Sequence, residues 1–227
     1  VEKSFVDYVN KIIYVKGKKV NKINALRIAG TLSNPSKMPC KSYSLPAKKC
    51  KVGSKLRKVA GSVCSACYAC KGCYQFPSTV DAMAKRYKGI FNKNWVDAME
   101  ILIKSSTTKS KFFRWHDSGD IQTLEHLGKI IEIANRLPEV RFWLPTKEAK
   151  MIVQWIKNGN RIPNNLVVRI SASMVDGIPP RTTFNTSTVA KEKSFGFKCP
   201  APSQNGECGD CRKCWDVKTK NVSYKLH

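Results

Sequence analysis

The spacing of apolar and polar residues changes its period several times along the chain. In "STVDAMAKRYKG" and "NKNWVDAMEILIKSS" the apolar positions recur every three or four residues, which predicts helices over roughly residues 78–105. Ser78 stands as the N-cap and Gly89 as the stop of the first of these. Trp95, Met99, Leu102 and Ile103 form one face of the second. From residue 111 short apolar runs take over: "KFFRWH", "VRFWL" and "NLVVRISAS" read as strands. Between them, "TLEHLGKIIEIANRLP" and "KEAKMIVQWIKNG" read as helices ended at Pro138 and Gly159. "TTFNTSTVA" adds a further strand. Strands separated by helices cannot pair as tight hairpins, so the pattern predicts βαβαβ units and an α/β fold with parallel strands.

The flanking segments read differently. Residues 1–20 suggest a short amphipathic helix and a basic turn, "KGKKV". Residues 33–62 are rich in Ser, Pro, Gly and Lys and predict a long loop. From residue 198 the chain is polar, with Gly, Pro and four cysteines, and too few apolar residues for a core of its own. The expected organisation is an α/β domain over 1–197 carrying a cysteine-rich loop at 40–73, followed by a small metal-binding segment at 198–227.

Charge narrows the partners. Among 227 residues, 41 Lys and Arg face 16 Asp and Glu, a formal +25. Nucleic acid is the first partner this favours, and an anionic substrate or cofactor the second. Metal-bound cysteines are thiolates and would lower the excess by a few units without reversing it. The stretch "KKCKVGSKLRK" supplies phosphate-binding candidates: Lys48, Lys49, Lys51, Lys55, Arg57 and Lys58. No apolar run approaches the ~18 residues needed to span a bilayer. "VEKSFVDYVNKIIYV" lacks the compact apolar stretch of a secretory signal. A soluble, cytoplasmic protein with no membrane partner is expected.

Ten cysteines in such a protein are seldom disulfides, and they fall into two groups. In "VCSACYACKGCYQF", Cys64, Cys67, Cys70 and Cys73 recur every third residue, with Cys50 and Cys40 upstream. The second group is Cys199, Cys208, Cys211 and Cys214. Cys-x2-Cys lets two thiolates on one turn grip one metal ion or adjacent irons of one cluster. Spacing leaves tetrahedral zinc and iron–sulfur both open, because all-sulfur sites occur with either.

In parallel α/β folds ligands bind where strands end at their carboxyl side. Those ends read "WHDSGD", "LPTKE" and "RISAS", all polar after apolar strands. Candidate cofactor- or substrate-binding residues are therefore His116, Asp117, Gly119, Asp120, Thr146, Lys147 and Ser171. Each has a plainer reading: His116 as a structural histidine, Asp117 or Ser118 as a helix cap, Lys147 and Glu148 as a solvated first turn. Gly119 would let the backbone approach a ligand closely. Trp143 reads as core, and Tyr68 as a ring that stacks on a cofactor or covers a cluster.

"SLPAKKC", "GSVCSACYACKG", "FRWHDSGD", "FWLPTKE", "NLVVRISAS" and "CPAPSQNGECGDCRKCWD" together resemble the phage family of gene product eighty-eight, from about residue 24 to the C-terminus. That resemblance implies a phage origin and supplies no activity. More distantly the chain is similar to radical S-adenosylmethionine enzymes, which carry a [4Fe–4S] cluster in a loop after the first strand of a partial (β/α) barrel. Their loop is Cys-x3-Cys-x2-Cys. Cys64 and Cys67 look like its last two cysteines, the first would fall at Ala60, and Cys50 or Cys70 would take its place. "SGD" stands where that superfamily holds the amino group of its cofactor. The resemblance implies a partial parallel barrel, an iron–sulfur cluster with S-adenosylmethionine, an auxiliary cluster or zinc in the tail, and action on nucleic acid or a nucleotide. The alternative is a non-catalytic nucleic-acid-binding protein with structural or redox-sensing centres.

Overall fold

The structure, a computed structural model, describes residues 13–15 and 18–226. β1 (Ile13–Val15) and β2 (Lys18–Val20) pair antiparallel, where a helix and a turn were expected. The part of that expectation before residue 13 lies outside the described residues. α1 (Lys22–Ala29) follows, its first turn closed by the Asn21 side chain, which accepts from Asn24 N–H at 2.8 Å.

The predicted 33–62 loop is more ordered than its composition suggests. It contains β3 (Ser42–Tyr43), a 3-10 turn at Ala47–Lys49 and α2 (Lys51–Leu56). Two helices then occupy the predicted helical stretch, α3 (Pro77–Gly89) and α4 (Trp95–Ser106). The cap of α3 is Phe76 rather than Ser78, because Pro77, with its fixed φ and missing N–H, already occupies the first helical position. β4 (Phe112–Trp115), α5 (Leu124–Arg136), β5 (Arg141–Thr146), α6 (Ala149–Lys157), β6 (Leu166–Val175) and β7 (Asn185–Ala190) follow the predicted alternation. β8 (Phe197–Lys198) and β9 (Asn221–Lys225) complete the chain.

Seven strands form one sheet in the order β3-β4-β5-β6-β7-β9-β8, every neighbouring pair parallel. The pairing leaves β3 and β8 as edges. Alternation along the strands gives the sheet two different faces. Phe113, Trp115, Phe142, Leu144, Leu166, Val168 and Ile170 pack with Ala25, Trp95, Met99, Ile103, Leu127, Ile130 and Ile133 of α1, α4 and α5 in the main core. The other face carries Phe112, Arg114, Trp143 and Arg169. It is covered by the C-terminal segment, whose Trp215 lies 5.3 Å from Trp143 and 5.4 Å from Phe112, ring centre to ring centre. Residues 198–227, expected as a segment apart, thus supply an inner strand of the main sheet as well as a cover for its second face.

Candidate functional site

The first cysteine-rich segment is held over the carboxyl ends of β4, β5 and β6. Val63 N–H donates to Ser173 O at 2.8 Å, and Val175 N–H to Gly61 O at 3.0 Å, around a bridge between Ser62 and Met174. Val52 N–H of α2 donates to the Glu148 carboxylate at 2.9 Å. The Tyr68 hydroxyl donates to Asp117 O and the Tyr74 hydroxyl to the Asp117 carboxylate at 3.2 Å. A segment of Gly, Ser, Cys and Lys has little apolar surface to bury, so backbone and tyrosine hydrogen bonds fix its place.

This docking brings Cys50, Cys64, Cys67 and Cys70 into one neighbourhood. The Cys50 thiol is pushed far up, first by burial and then by nearby Asp120, Cys67 and Cys64. Cys64 is raised by burial against the opposing pull of Lys147, with Asp120 and Cys70 adding to the rise. Cys67 is raised by burial, and Cys70 and Cys64 add to the rise. Gly53 keeps this neighbourhood open: a Cβ there would sit 2.9 Å from Cys50 Cβ and 3.6 Å from Cys64 Sγ. Cys73 is exposed and stands outside the group.

The strand-end candidates are brought together and largely bound to one another. Asp120 accepts from Thr146 Oγ1 at 2.6 Å, Lys147 N–H at 2.8 Å and Ile121 N–H at 2.8 Å, tying the end of β4 to the end of β5. Burial raises its carboxyl to about 6 even though these donors favour the charged form. Asp117 accepts from Ser42 Oγ at 2.6 Å in addition to Tyr74, tying β4 to β3. Lys147 Nζ donates to Ala172 O; burial lowers its ammonium, opposed by Cys64 and Asp120. Glu148, read as part of a solvated turn, is buried and holds α2. Ser171 Oγ accepts from the Ser187 hydroxyl at 3.1 Å, a link between β6 and β7.

Gly119 does approach closely, but its neighbour is protein. A Cβ there would lie 2.5 Å from Leu45 Cβ and 2.8 Å from Leu45 O, and its φ is +83°. Leu45 N–H donates to Ser118 O and Ser118 Oγ to Leu45 O, both at 2.8 Å, so the turn is locked to the strand β3 exit. His116 has φ +50° and is buried with neither ring nitrogen hydrogen-bonded. Burial, with Arg114 nearby, pushes its pKa down to about 3, so the ring is neutral.

The second cysteine group lies on the covered sheet face and gathers Cys40 to it. Cys40, raised to about 12 by burial, lies near Cys208 with Arg114 and Arg212 opposing the rise. Cys208 is raised by burial, with Cys199 and Cys211 adding to it. Cys214 is raised to about 12 by burial, and its Sγ is 3.2 Å from the Tyr224 hydroxyl. Two residues that the sequence reading passed over organise this region. Arg169, fully buried, donates to the carbonyls of Cys214, Thr186, Thr219, Lys213 and Asp216 at 2.8–3.2 Å. Arg114 lies 4.4 Å over the Trp143 ring and has Cys40 and Cys208 of one group and Tyr68 and Asp117 beside the other as charge neighbours. A charged residue inside an apolar strand pattern is the signal for both, since burial of a guanidinium requires dedicated partners.

Of the basic candidates, Lys48, Lys49, Lys51, Lys55 and Lys58 are exposed. Arg57 is half-buried and donates to Ala47 O at 3.1 Å, so it braces the turn before α2.

Among the described residues no three His, Cys, Asp or Glu side chains are arranged to hold a metal ion, and the ten cysteines are free. The chemistry of the donors nevertheless suits a soft metal or a cluster. Clustered thiols whose burial disfavours the thiolate gain most from a cation that compensates the charge. Among the described residues no helix is long and apolar enough to cross a membrane. No curated protein and no solved structure matches the chain. A family model does match, over residues 14–217, and that span takes in β3 to β7, both cysteine groups and the strand-end residues. The chain belongs to the Gene product 88 family.

Proposed function

We propose that this protein is an iron–sulfur enzyme of the radical S-adenosylmethionine type that acts on nucleic acid or a nucleotide. The observation that carries the reading is the place of Cys50, Cys64, Cys67 and Cys70. They lie on the connection between the first and second parallel strands and fold over the carboxyl ends of β4 to β6, beside Asp120 and Lys147. A partial (β/α) barrel has its ligands at that edge. The neighbouring strands β3 to β7 run in chain order, as in such a barrel. Three of the four thiols would hold a [4Fe–4S] cluster, and the fourth iron would be left open for the cofactor. When bound, the cluster supplies the electron that cleaves S-adenosylmethionine. Lys147 and the loop from His116 to Asp120 shape the wall beside it, and Tyr68 roofs it. Cys199, Cys208, Cys211 and Cys214, with Cys40, would hold a second cluster or zinc. The exposed lysines from Lys48 to Lys58 supply the phosphate contacts. The protein would work in the cytoplasm of the infected cell.

One feature favours a second reading, a non-catalytic nucleic-acid-binding protein with structural or redox-sensing centres. Asp117 and Asp120 both have their two carboxylate oxygens occupied within the protein, which leaves fewer groups to grip a cofactor. Anaerobic purification followed by metal analysis separates the readings. Iron and sulfide near four per cluster, with 5′-deoxyadenosine formed on adding S-adenosylmethionine and dithionite, supports the enzyme. Iron without that product supports the second reading. A colourless protein with stoichiometric zinc rejects the radical chemistry.

A further inference from the structure

The outward face of α3 is unusual for a surface helix. Val80, Ala84 and Lys88 follow one another at intervals of four on α3 and form one stripe, which Phe76 at the N-cap and Phe91 just beyond the C-cap extend at either end. That stripe faces solvent: Phe76 is 59% exposed, Val80 42% and Phe91 52%. The helix turns its other side, with Met83, Arg86 and Gly89, into the protein. Amphipathicity alone would put polar residues where Phe76, Val80 and Phe91 stand. α3, with 13 residues at 1.5 Å each, is roughly 20 Å long.

Its surroundings are cationic. Lys71, Lys85, Lys88 and Lys93 are exposed on or beside α3, against the single exposed carboxylate of Asp81 between residues 71 and 93. The stripe also joins the basic segment identified from the sequence. Lys49 Nζ lies 5.4 Å from the Tyr87 ring centre, and Tyr87 meets Phe91 edge to face at 5.4 Å. Aromatic rings and lysines thus alternate from the Ala47–Lys49 turn over α3.

We infer that this surface binds single-stranded nucleic acid, with unpaired bases stacked on Phe76 and Phe91 and the backbone tracked by Lys49, Lys85 and Lys88. The inference rests on the nucleic-acid part of the reading above and names its substrate class. Duplex DNA hides its base faces and offers only phosphates to such a surface, whereas a single strand offers both phosphates and π-faces. An apolar protein partner would use the stripe but gain nothing from the lysines around it. The excess of lysine over carboxylate on this face selects the polyanion.

The test is fluorescence anisotropy with a labelled 30-nucleotide oligo(dT) and a duplex of equal length, compared at the same salt concentration and then across a salt series. The single strand should bind more tightly. Phe76→Ala and Phe91→Ala, both at exposed positions, should each weaken it about five-fold or more while changing duplex binding little. Phe91→Leu keeps the apolar area but loses the stacking face, and should behave like the alanine variant; Phe91→Trp should retain binding. Lys88→Gln should reduce the slope of log affinity against log salt by about 0.7. Equal or tighter binding of the duplex, or unchanged affinity in both alanine variants, overturns this inference and leaves the wider nucleic-acid reading in place. Binding to neither oligonucleotide overturns both.

Discussion

The two cysteine groups are built on opposite principles. The first is carried by turns and a short helix at the strand ends, where backbone contacts and two tyrosine hydroxyls hold it. The second lies against the sheet face, packed on Trp143, Trp215 and Tyr224 and pinned by a buried guanidinium. Much of the first segment is exposed or half-buried, and it stands beside titratable groups, Asp120 and Lys147. The second is just as exposed along much of its length, but Cys40 and Trp215 anchor it in the core, and its neighbouring cations are arginines. The difference teaches that similar Cys-x2-Cys spacing can be held by backbone and hydroxyl hydrogen bonds in one place and by a clamp of aromatic rings and a buried guanidinium in another. The partners that hold each segment, not its spacing, separate the two.

The clamp gives the largest expected effect. Arg169→Met removes five hydrogen bonds and leaves the carbonyls of Thr186, Lys213, Cys214, Asp216 and Thr219 without that donor. The expected loss is about 4 kcal/mol or more in urea denaturation, because buried acceptors are left unsatisfied. A loss below about 1 kcal/mol would break the contrast, since the second group would then stand without its pin.

At the first group the corresponding effect is electrostatic. The folded-state pKa of Asp120, about 6, lies above its ordinary value of 3.8. The folded protein therefore holds this proton more tightly than the unfolded chain. In metal-free protein this contribution favours the fold below the ordinary value and is lost as pH rises through 6, by a total of about 3 kcal/mol. Denaturation midpoints of wild type and Asp120→Asn, compared from pH 4 to 7, read it out. The two profiles should diverge with rising pH, and parallel profiles would remove Asp120 from the buried wall. A smaller loss, about 2 kcal/mol, is expected for Gly119→Ala, whose Cβ would meet Leu45 at 2.5 Å in a left-handed backbone.

Most of the scaffold was readable before any coordinates. The aromatic and aliphatic runs of β4, β5 and β6 and the apolar stripe of α5 each bury a continuous face, so periodicity alone located them; α6 shows the same period although only its Ile152 is buried. α1 escaped because its buried residues, Ala25 and Ala29, are too small to mark a face. α2 escaped because its Gly, Ser and Lys composition reads as loop, its place being set by Glu148 from a distant strand end. β9 could not be seen as an inner strand, since its neighbours come from far along the chain. At the site, spacing identified the cysteines and the polar strand ends. It could not show that Asp117, Gly119 and Asp120 spend their contacts on Ser42, Leu45 and Thr146, because those partners depend on tertiary packing.

The finest discrimination between the two groups lies in single thiols of the metal-free protein. Cys64 sits in the loop-built group and is half-buried among other thiols, with no apolar packing of its own in either core. Serine there exchanges one small polar atom for another, and the expected change in stability is within about 0.5 kcal/mol. Cys214 packs against the Trp143–Trp215 cluster and contacts the Tyr224 hydroxyl, so Cys214→Ser places a stronger polar group in an apolar wall and should cost about 1 kcal/mol. If each group holds a metal as proposed, metal analysis of the separately loaded variants should show each losing the metal of its own group alone. If Cys64→Ser proved the more destabilising, or if either substitution emptied both groups, the loop and the clamp would have to be one cooperative unit, with Arg114 between them as the link.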